Sequence, residues 1–287
     1  MKFYYYVHTG HRIGLDRFRR ACTIIRALGD IDITLLCSDF RIANEAKHFG
    51  VKTSVGIDVV RNIPQIAHHG DKIIFDSNEA NPIMLNDMRL FFSTFIRVSD
   101  DENDKKEDNE FLISPYLEGE DICNAYIVDD KYFELKEKTI KLSFFFGDDD
   151  YEKDLEKYMS FIEDLNPDLL LGFYYFFDYA DMLKKKFKNN HEFEDYDELI
   201  TSSEVLVTSS PQAVLESLAS GGKPIYLQRD DYAKDFIKLF QNLNIPIIQN
   251  YDKKYFTETF NSINNHKYSK MQQNSNKLIN FIKGNLN

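Results

Sequence analysis

The fold is decided by residues 204–228, which read EVLVTSSPQAVLESLASGGKPIYLQ. The run Glu204–Thr208 has the length and the β-branched content of a buried strand. Pro211–Ala219 then carries apolar residues at helical spacing, with Pro at the first helical position and Gly221 just beyond the end. A second apolar run begins at Pro224. Strand, helix and strand in this order are typical of a βαβ unit, whose two strands lie parallel in one sheet.

The same alternation of strand-length and helix-length segments extends over the rest of the chain. One series begins with a predicted strand at Lys2–Val7, and a second begins with a predicted strand at Thr139–Phe146. We therefore predict an α/β protein with two Rossmann-like domains that face a cleft. The predicted divisions are residues 1–135, residues 136–264 and a terminal helix over 265–287 that packs back towards the first domain. Ligands of such sheets bind beyond the carboxyl ends of the strands.

Composition and charge exclude several functional classes. Hydrophobic residues make up 43% of the chain and charged residues 29%, which is ordinary for a globular protein. The net charge of −12 argues against binding to nucleic acid, which needs a basic surface. No apolar run approaches the ~20 residues of a membrane-spanning helix, and the N-terminal apolar segment is too short for a signal peptide. The cysteines, Cys22, Cys37 and Cys123, lie in apolar stretches, so we interpret them as buried thiols of a cytoplasmic protein.

A basic loop between the first strand and the first helix is one candidate site. Residues 7–17 read VHTGHRIGLDR. Glycines permit a tight turn and close backbone approach, histidines act as acid or base at neutral pH, and arginines suit a phosphate or carboxylate. The candidate residues are His8, Gly10, His11, Arg12, Gly14, Asp16 and Arg17. The alternative is that the arginines pair with surface acids and that one histidine caps a strand.

The turn inside the opening stretch is the second candidate site. Ser210 can cap the helix that Pro211 begins. Free backbone N–H groups, the helix dipole and the hydroxyls of Thr208, Ser209 and Ser210 then favour an anion. We expect Glu216 to reach outward from the first turns, where an acid can bind ribose hydroxyls. The alternative is an ordinary capped helix with a surface glutamate.

Three other segments are interpreted as structural. Asp148–Asp150 follow Gly147 after a strand, and consecutive carboxylates cannot all converge on one ion, so N-capping is favoured over a Mg²⁺ site. Residues 100–110 are rich in acids and are expected to form a solvated surface loop. Phe173–Phe177 is expected to pack in the core or at a domain interface. We expect neither a metal nor a cofactor.

These motifs resemble those of a known family. Two Rossmann-like halves, a Gly/His/Arg loop after the first strand and a Ser-Ser…Glu turn in the second half are similar to two-domain nucleotide-sugar enzymes of the GT-B type. Within that group the chain resembles the UDP-sugar hydrolases of pseudaminic acid biosynthesis, in which water attacks the anomeric carbon and UDP leaves. It is similar, more distantly, to the MurG-type transferases.

The resemblance implies that the second domain holds the nucleotide. Gly147 and Asp148 correspond to the glycine–aspartate turn of the family. Ser210 and Gln212 correspond to residues that hold phosphate, and Glu216 corresponds to the residue that holds the ribose. The loop around residues 193–199 would lie near the uracil.

The first domain would hold the sugar or the acceptor. Asp76 and Asp100 fall in segments that resemble the paired aspartate loops of the family, which makes them implied substrate ligands. The catalytic histidine of the family falls on Arg17 of this chain, and the glycine before it on Asp16.

Because the histidine of the family is replaced, another base is needed. We expect His11 to serve, with His8 as a substitute, while Asp16 or Arg17 orients the substrate and Arg12 counters its charge. The expected partner is a nucleotide sugar, most simply a UDP-linked one. A water nucleophile would make the protein a hydrolase and a hydroxyl acceptor would make it a glycosyltransferase. The replaced histidine also allows a catalytically degenerate protein that only binds its ligand.

Overall fold

The computed structural model describes the backbone of residues 1–286 and their side chains other than those of Phe161 and Glu163. The strands in chain order are β1 Phe3–Val7, β2 Ile33–Cys37, β3 Thr53–Gly56, β4 Lys72–Asp76, β5 Thr94–Val98, β6 Phe111–Ser114, β7 Ile122–Asn124, β8 Ile140–Phe145, β9 Asp168–Leu170, β10 Asn189–His191, β11 Ser203–Thr208, β12 Lys223–Leu227 and β13 Ile247–Ile248. The α-helices in chain order are α1 Asp16–Ala27, α2 Phe40–Glu45, α3 Pro82–Phe91, α4 Leu155–Ile162, α5 Phe177–Lys184, α6 Tyr196–Ser202, α7 Pro211–Ala219, α8 Ile237–Asn242, α9 Lys253–Ser262 and α10 Ser275–Gly284.

The chain folds as two compact units. Residues 1–128, together with the C-terminal residues from Gln273 onward, form the first unit, and residues 129–272 form the second. The first unit contains a parallel sheet in the order β3-β2-β1-β4-β5-β6-β7, and the second contains a parallel sheet in the order β10-β9-β8-β11-β12-β13. The predicted α/β class is therefore confirmed.

Burial of both sheet faces explains the aromatic run at the start of the chain. Tyr4, Tyr5 and Tyr6 of β1 are at most 1% exposed, as expected for a central strand of a parallel sheet. Their hydroxyl groups still find partners, since that of Tyr4 donates to the Ile66 carbonyl and that of Tyr5 to the Asp76 carboxylate. The buried strand therefore leaves neither of these hydroxyls without an acceptor.

The second sheet has a comparable core. Phe144 of β8 lies opposite Val207 of β11 in the register, and both side chains are buried. Phe187 stacks on Phe144 with 6.4 Å between ring centroids. Strands β8 and β11 are therefore fixed side by side at the centre of the sheet.

Each sheet reverses its strand order at one place. In the first sheet β1 lies between β2 and β4, and in the second β8 lies between β9 and β11. At such a point the connections leave in opposite directions and open a crevice at the carboxyl ends of the strands. We call these two places the first edge, after β1 and β4, and the second edge, after β8 and β11.

Strands β3, β7 and β10 were not predicted. All three are sheet edges and are only three or four residues long. An edge strand is not buried on every side, so it needs no continuous apolar run and shows none in the sequence. Apolar runs in the sequence therefore do not reveal these three edge strands.

Most of the acidic segment 100–110 is the exposed loop that was predicted, but its last residue is buried. Glu110 is 2% exposed and accepts two hydrogen bonds from Arg97 of β5, at 3.2 and 2.7 Å. Asp104 also pairs with Arg97. A guanidinium that lies on a buried strand needs carboxylates beside it, and this segment supplies them.

Two helical segments of the first unit are short. Residues 59–68 contain only a 3₁₀-helix, Val60–Gln65, because Pro64 cannot continue an α-helix. The terminal helix is confined to α10. The predicted burial of Cys22, Cys37 and Cys123 is confirmed. None of the helices formed by residues 1–286 combines the length and apolar character needed to cross a bilayer.

Candidate functional site

The basic loop after β1 is a closed turn. The carbonyl of Gly10 accepts the N–H groups of Ile13 and Gly14, at 3.1 and 2.9 Å. Gly14 has φ +79° and Arg12 has φ +64°, so the chain passes through left-handed conformations here. The hydroxyl of Thr9 donates to the Gly14 carbonyl at 2.8 Å and ties the turn to its base. The predicted tight turn is thus present, and Gly14 supplies a conformation that other residues rarely adopt.

His8 is held at the first edge. Its backbone N–H donates to the Asp76 carbonyl at 3.0 Å, which joins the ends of β1 and β4. Its Nδ1 lies 2.9 Å from Oδ1 of Asn78, and its Nε2 lies 3.8 Å from Oε1 of Glu79. If Nδ1 carries the proton and donates to Asn78, Nε2 keeps its lone pair and faces a carboxylate.

Asp76 and Asp100 are brought together by Arg20, which the motif analysis did not select. Nε and Nη2 of Arg20 donate to the two carboxylate oxygens of Asp76, at 2.6 and 2.5 Å, and Nη1 donates to Asp100 at 2.7 Å. The Asp76 side chain is fully buried and that of Asp100 is 9% exposed. Burial alone would lower the pKa of Arg20, but these carboxylates raise it well above its ordinary value. The oxygens of Asp76 are therefore occupied by Arg20.

The other predicted residues of the loop are more accessible. Arg12 is exposed, while His11, Asp16 and Arg17 are partly buried. The Nε atom of Arg17 lies 3.6 Å from Oδ1 of Asp76. The first edge therefore combines a buried ionic cluster with a rim of histidines and arginines.

The second edge has the predicted capped helix. Ser210 is the N-cap of α7, and its hydroxyl accepts the N–H of Ala213 at 3.1 Å. The N–H of Ser210 in turn donates to the Thr208 hydroxyl at 3.0 Å. The Ser209 hydroxyl is buried and has no hydrogen-bond partner among residues 1–286. A buried hydroxyl without a partner is rare in proteins and is often completed by a ligand or water.

The expectation that Glu216 reaches outward is wrong. Glu216 is 1% exposed, and its carboxylate accepts hydrogen bonds from the Tyr196 hydroxyl at 2.6 Å and from the Gln212 amide at 2.8 Å. Because α7 packs its whole first half inside the unit, position 216 points into a polar network instead of solvent. Glu216 and Gln212 thus bind each other in this structure.

Hydrogen bonds fix the turn that follows β8. Gly147 has φ +122°, and the Asp148 carbonyl accepts the N–H of Tyr174 at 2.8 Å. The carboxylate of Asp150 accepts the N–H groups of Asp154 and Leu155, so it caps the start of α4 as predicted. Burial raises the pKa of Asp150 despite the Tyr179 hydrogen bond and the charge of Arg229.

Arg229 is a second residue of the candidate site that the sequence motifs do not include. It follows β12, is buried, and donates from Nη1 to the Asp149 carbonyl at 2.6 Å. Its guanidinium carbon lies 4.6 Å from the ring centroid of Phe146 and 4.2 Å from that of Tyr232. The sequence signal for Arg229 is its position directly after the apolar run that begins at Pro224. A residue at the carboxyl end of a parallel strand lies at the same sheet edge as the other loops.

Aromatic rings lie at the end of β9 and after β10. Phe173 and Phe193 are both partly exposed and meet edge to face, with centroids 5.0 Å apart. The sequence placed the aromatic run 173–177 in a core or interface, yet Phe176 is 57% exposed and Phe177 is 90% exposed. In the part of the chain that the structure describes, no group of three or more His, Cys, Asp or Glu is placed to hold a metal ion.

This chain is similar to known proteins in fold and not in sequence. No protein-family model matches the chain, and no curated protein matches it in sequence. Among solved structures, HepE of Anabaena in complex with UDP and glucose is similar, with TM-score 0.63, 11% identity and coverage of 100% of this chain and 99% of that one. The UDP-GlcNAc 2-epimerase of Methanocaldococcus jannaschii, in complex with UDP-GlcNAc and UDP, has TM-score 0.60, 15% identity and 99% coverage of both chains.

A third similar structure is the spinosyn rhamnosyltransferase SpnG complexed with thymidine diphosphate. It has TM-score 0.60 and 8% identity, and the match covers 99% of this chain and 96% of that one. Identities this low concern the fold alone. The chain therefore has a two-unit α/β fold of the GT-B type.

Proposed function

We propose that the protein is an enzyme that acts on a nucleotide-activated sugar, most simply a UDP-linked one. The second edge would hold the nucleoside diphosphate, and the first edge would hold the sugar or the acceptor. The observation that carries the proposal is the unpartnered Ser209 hydroxyl at the N-terminus of α7, on the strand-order reversal of the second sheet.

The chemistry of the second edge suits a diphosphate. The start of α7 offers backbone N–H groups and the positive end of its dipole, and Ser209 offers an O–H donor. Similar structures were solved with UDP or thymidine diphosphate. Donors fixed in advance at the leaving group would stabilise the negative charge that develops as the sugar departs.

The proposed reaction breaks the bond between the anomeric carbon and the diphosphate oxygen. A nucleophilic oxygen forms the new bond to that carbon, a base takes its proton, and UDP leaves with the electron pair. Water as nucleophile gives hydrolysis, and a hydroxyl of an acceptor gives glycosyl transfer.

His8 is favoured as the base over His11, which the sequence suggested. The Asn78 amide oxygen orients the His8 ring, and Glu79 would stabilise the imidazolium that forms on proton uptake. Loss of a general base lowers turnover by about 10²- to 10⁴-fold. His8→Gln should therefore abolish most turnover, whereas His11→Gln should retain most of it. The reverse result would restore His11 as the base.

A matched pair of serines tests the nucleotide site. Ser209 and Ser217 are both buried, and neither hydroxyl has a partner among the described residues, but only Ser209 lies at the second edge. Ser209→Ala should weaken UDP binding roughly 10- to 150-fold, since a hydrogen bond to a charged group contributes about 1.5–3 kcal/mol. Ser217→Ala should leave UDP affinity unchanged.

Calorimetric titration of the 287-residue chain with UDP measures both effects. Absence of UDP binding to the wild-type chain would contradict the proposed function. UDP release from a panel of UDP-sugars, with and without added acceptors, then separates hydrolysis from transfer.

A further inference from the structure

Arg17 is a cation of the first edge whose hydrogen-bond donors are unused among residues 1–286. It lies in the first turn of α1, and its side chain is 21% exposed. Within residues 1–286 its guanidinium makes no hydrogen bond and a single ion pair, from Nε to Oδ1 of Asp76 at 3.6 Å. That distance is too long for a hydrogen bond.

Three of the roughly four acceptor sites of the Asp76 carboxylate are already in use. It accepts two hydrogen bonds from Arg20 and a third from the Tyr5 hydroxyl at 3.2 Å. Asp100, the next acid along the edge, also receives Arg20. Arg20 thus uses its donors on Asp76 and Asp100 and offsets one of their two charges, while Arg17 offsets the other without using its own donors within the described part of the chain.

A partly buried guanidinium has lost much of its hydration and gains by meeting an anion. Its terminal nitrogens form a planar fork that matches the two oxygens of a carboxylate or phosphate. Arg17 and His8, the favoured base, both contact Asp76, which ends β4 at the place where the sheet order reverses. A ligand of the first edge would therefore meet this fork.

We propose that the first edge binds a substrate that carries an anionic group, a carboxylate or a phosphate, and that Arg17 contacts that group. This inference rests on the proposed function and deepens it, because it assigns the sugar or acceptor to an acidic class. Arg20 acts as a positioning residue: it occupies Asp76 and thereby keeps Arg17 available to the substrate.

The test is a calorimetric titration of the 287-residue chain with three probes, glucuronic acid, glucose 6-phosphate and glucose, at saturating UDP and again without UDP. At least one anionic probe should bind tenfold or more tightly than glucose, and the carboxylate and phosphate arms identify which anion is preferred. Arg17→Gln should weaken the preferred anion at least tenfold and leave glucose and UDP unchanged. Arg17→Lys keeps the charge without the fork and should fall between.

Arg61→Gln is the matched control, because Arg61 is an exposed arginine of the same unit outside the cluster. It should bind every probe as the wild type does. Equal affinity for anionic and neutral probes would overturn the inference, and so would full anion binding by Arg17→Gln. Loss of UDP affinity in Arg17→Gln would overturn it as well, because Arg17 would then serve the nucleotide. An anion preference that persists in a protein unable to bind UDP would keep this site and reject the proposed function.

Discussion

The first and second edges occupy equivalent places in two similar sheets, yet they are built from different chemistry. The first edge centres on charges: Arg20 joins Asp76 and Asp100 in a buried cluster. The second edge centres on backbone groups and hydroxyls, with Ser209 and Ser210 at the start of α7 and Gly147 in the facing turn. A shared topology therefore decides where a site lies, and local side chains decide what it can bind.

The difference has energetic consequences. A buried ion cluster is costly to assemble and very costly to break, because the remaining charges stay in a low-dielectric surrounding. A turn made of backbone groups depends instead on close packing, as the contact between Gly172 and the Gly147–Asp148 turn shows. We therefore expect loss of a charge at the first edge, and added side-chain volume at the second edge, to lower the free energy of unfolding.

The largest effect is expected from Arg20→Met. This substitution removes the guanidinium that donates to the Asp76 and Asp100 carboxylates. It should lower the free energy of unfolding by about 3–5 kcal/mol. Arg41→Met is the control, since Arg41 is 56% exposed in its pair with Asp39, and such pairs contribute about 0–1 kcal/mol. Chemical denaturation of both variants measures the contrast. Similar losses in the two would show that the first edge is not held by its buried charges.

The next effect concerns the second edge. A Cβ on Gly172 would lie 2.4 Å from the Gly147 carbonyl oxygen and 2.7 Å from the Asp148 carbonyl carbon, so backbone must move. Gly172→Ala should lower the free energy of unfolding by about 1–3 kcal/mol, as overpacking does, and should weaken UDP binding.

Gly284→Ala is the matched control for Gly172→Ala. Its added methyl meets no atom within 4 Å, so stability and UDP affinity should not fall. Thermal unfolding with and without UDP measures both variants. An unchanged UDP affinity in Gly172→Ala would argue that this turn does not contact the nucleotide.

The smallest effect is expected at the opposite end of the second sheet, where Lys138 precedes β8. Its ammonium donates to the Thr201 carbonyl and to the Ser220 hydroxyl, and no carboxylate offsets its desolvation. Burial lowers the pKa of Lys138 from 10.5 to about 8. The unfolded chain therefore binds this proton more readily than the folded chain, and stability should rise as the pH increases from 8 to 10.5.

Lys138→Gln should flatten that rise relative to the wild type. Lys136→Gln, which removes the same charge from an exposed position, serves as the control. Denaturation midpoints over this pH range measure the slope. An identical slope in the Lys138→Gln variant and the wild type would mean that Lys138 is hydrated in the folded protein.

Prediction from the sequence succeeded where a local signal and the fold agree. Pro211–Ala219 is a helix with the predicted bounds and with Ser210 as its cap, because capping depends on residues adjacent in the chain. The tight turn at Gly10 and Gly14 also forms as expected. Prediction failed for Glu216, whose outward direction was inferred from its position on one helix although Tyr196 of another helix decides it.

The sequence by itself determined the α/β class, the two series of strands and the loops that emerge after β1 and β11, since periodicity and capping are local properties. Only the tertiary structure decided that Arg20 joins Asp76 to Asp100, that Arg229 supports the turn after Gly147, and that Ser209 is left without a partner. These contacts link residues that are far apart in the chain. Whether a charge or a hydroxyl is matched depends on which strands become neighbours, and no local pattern of residues contains that information.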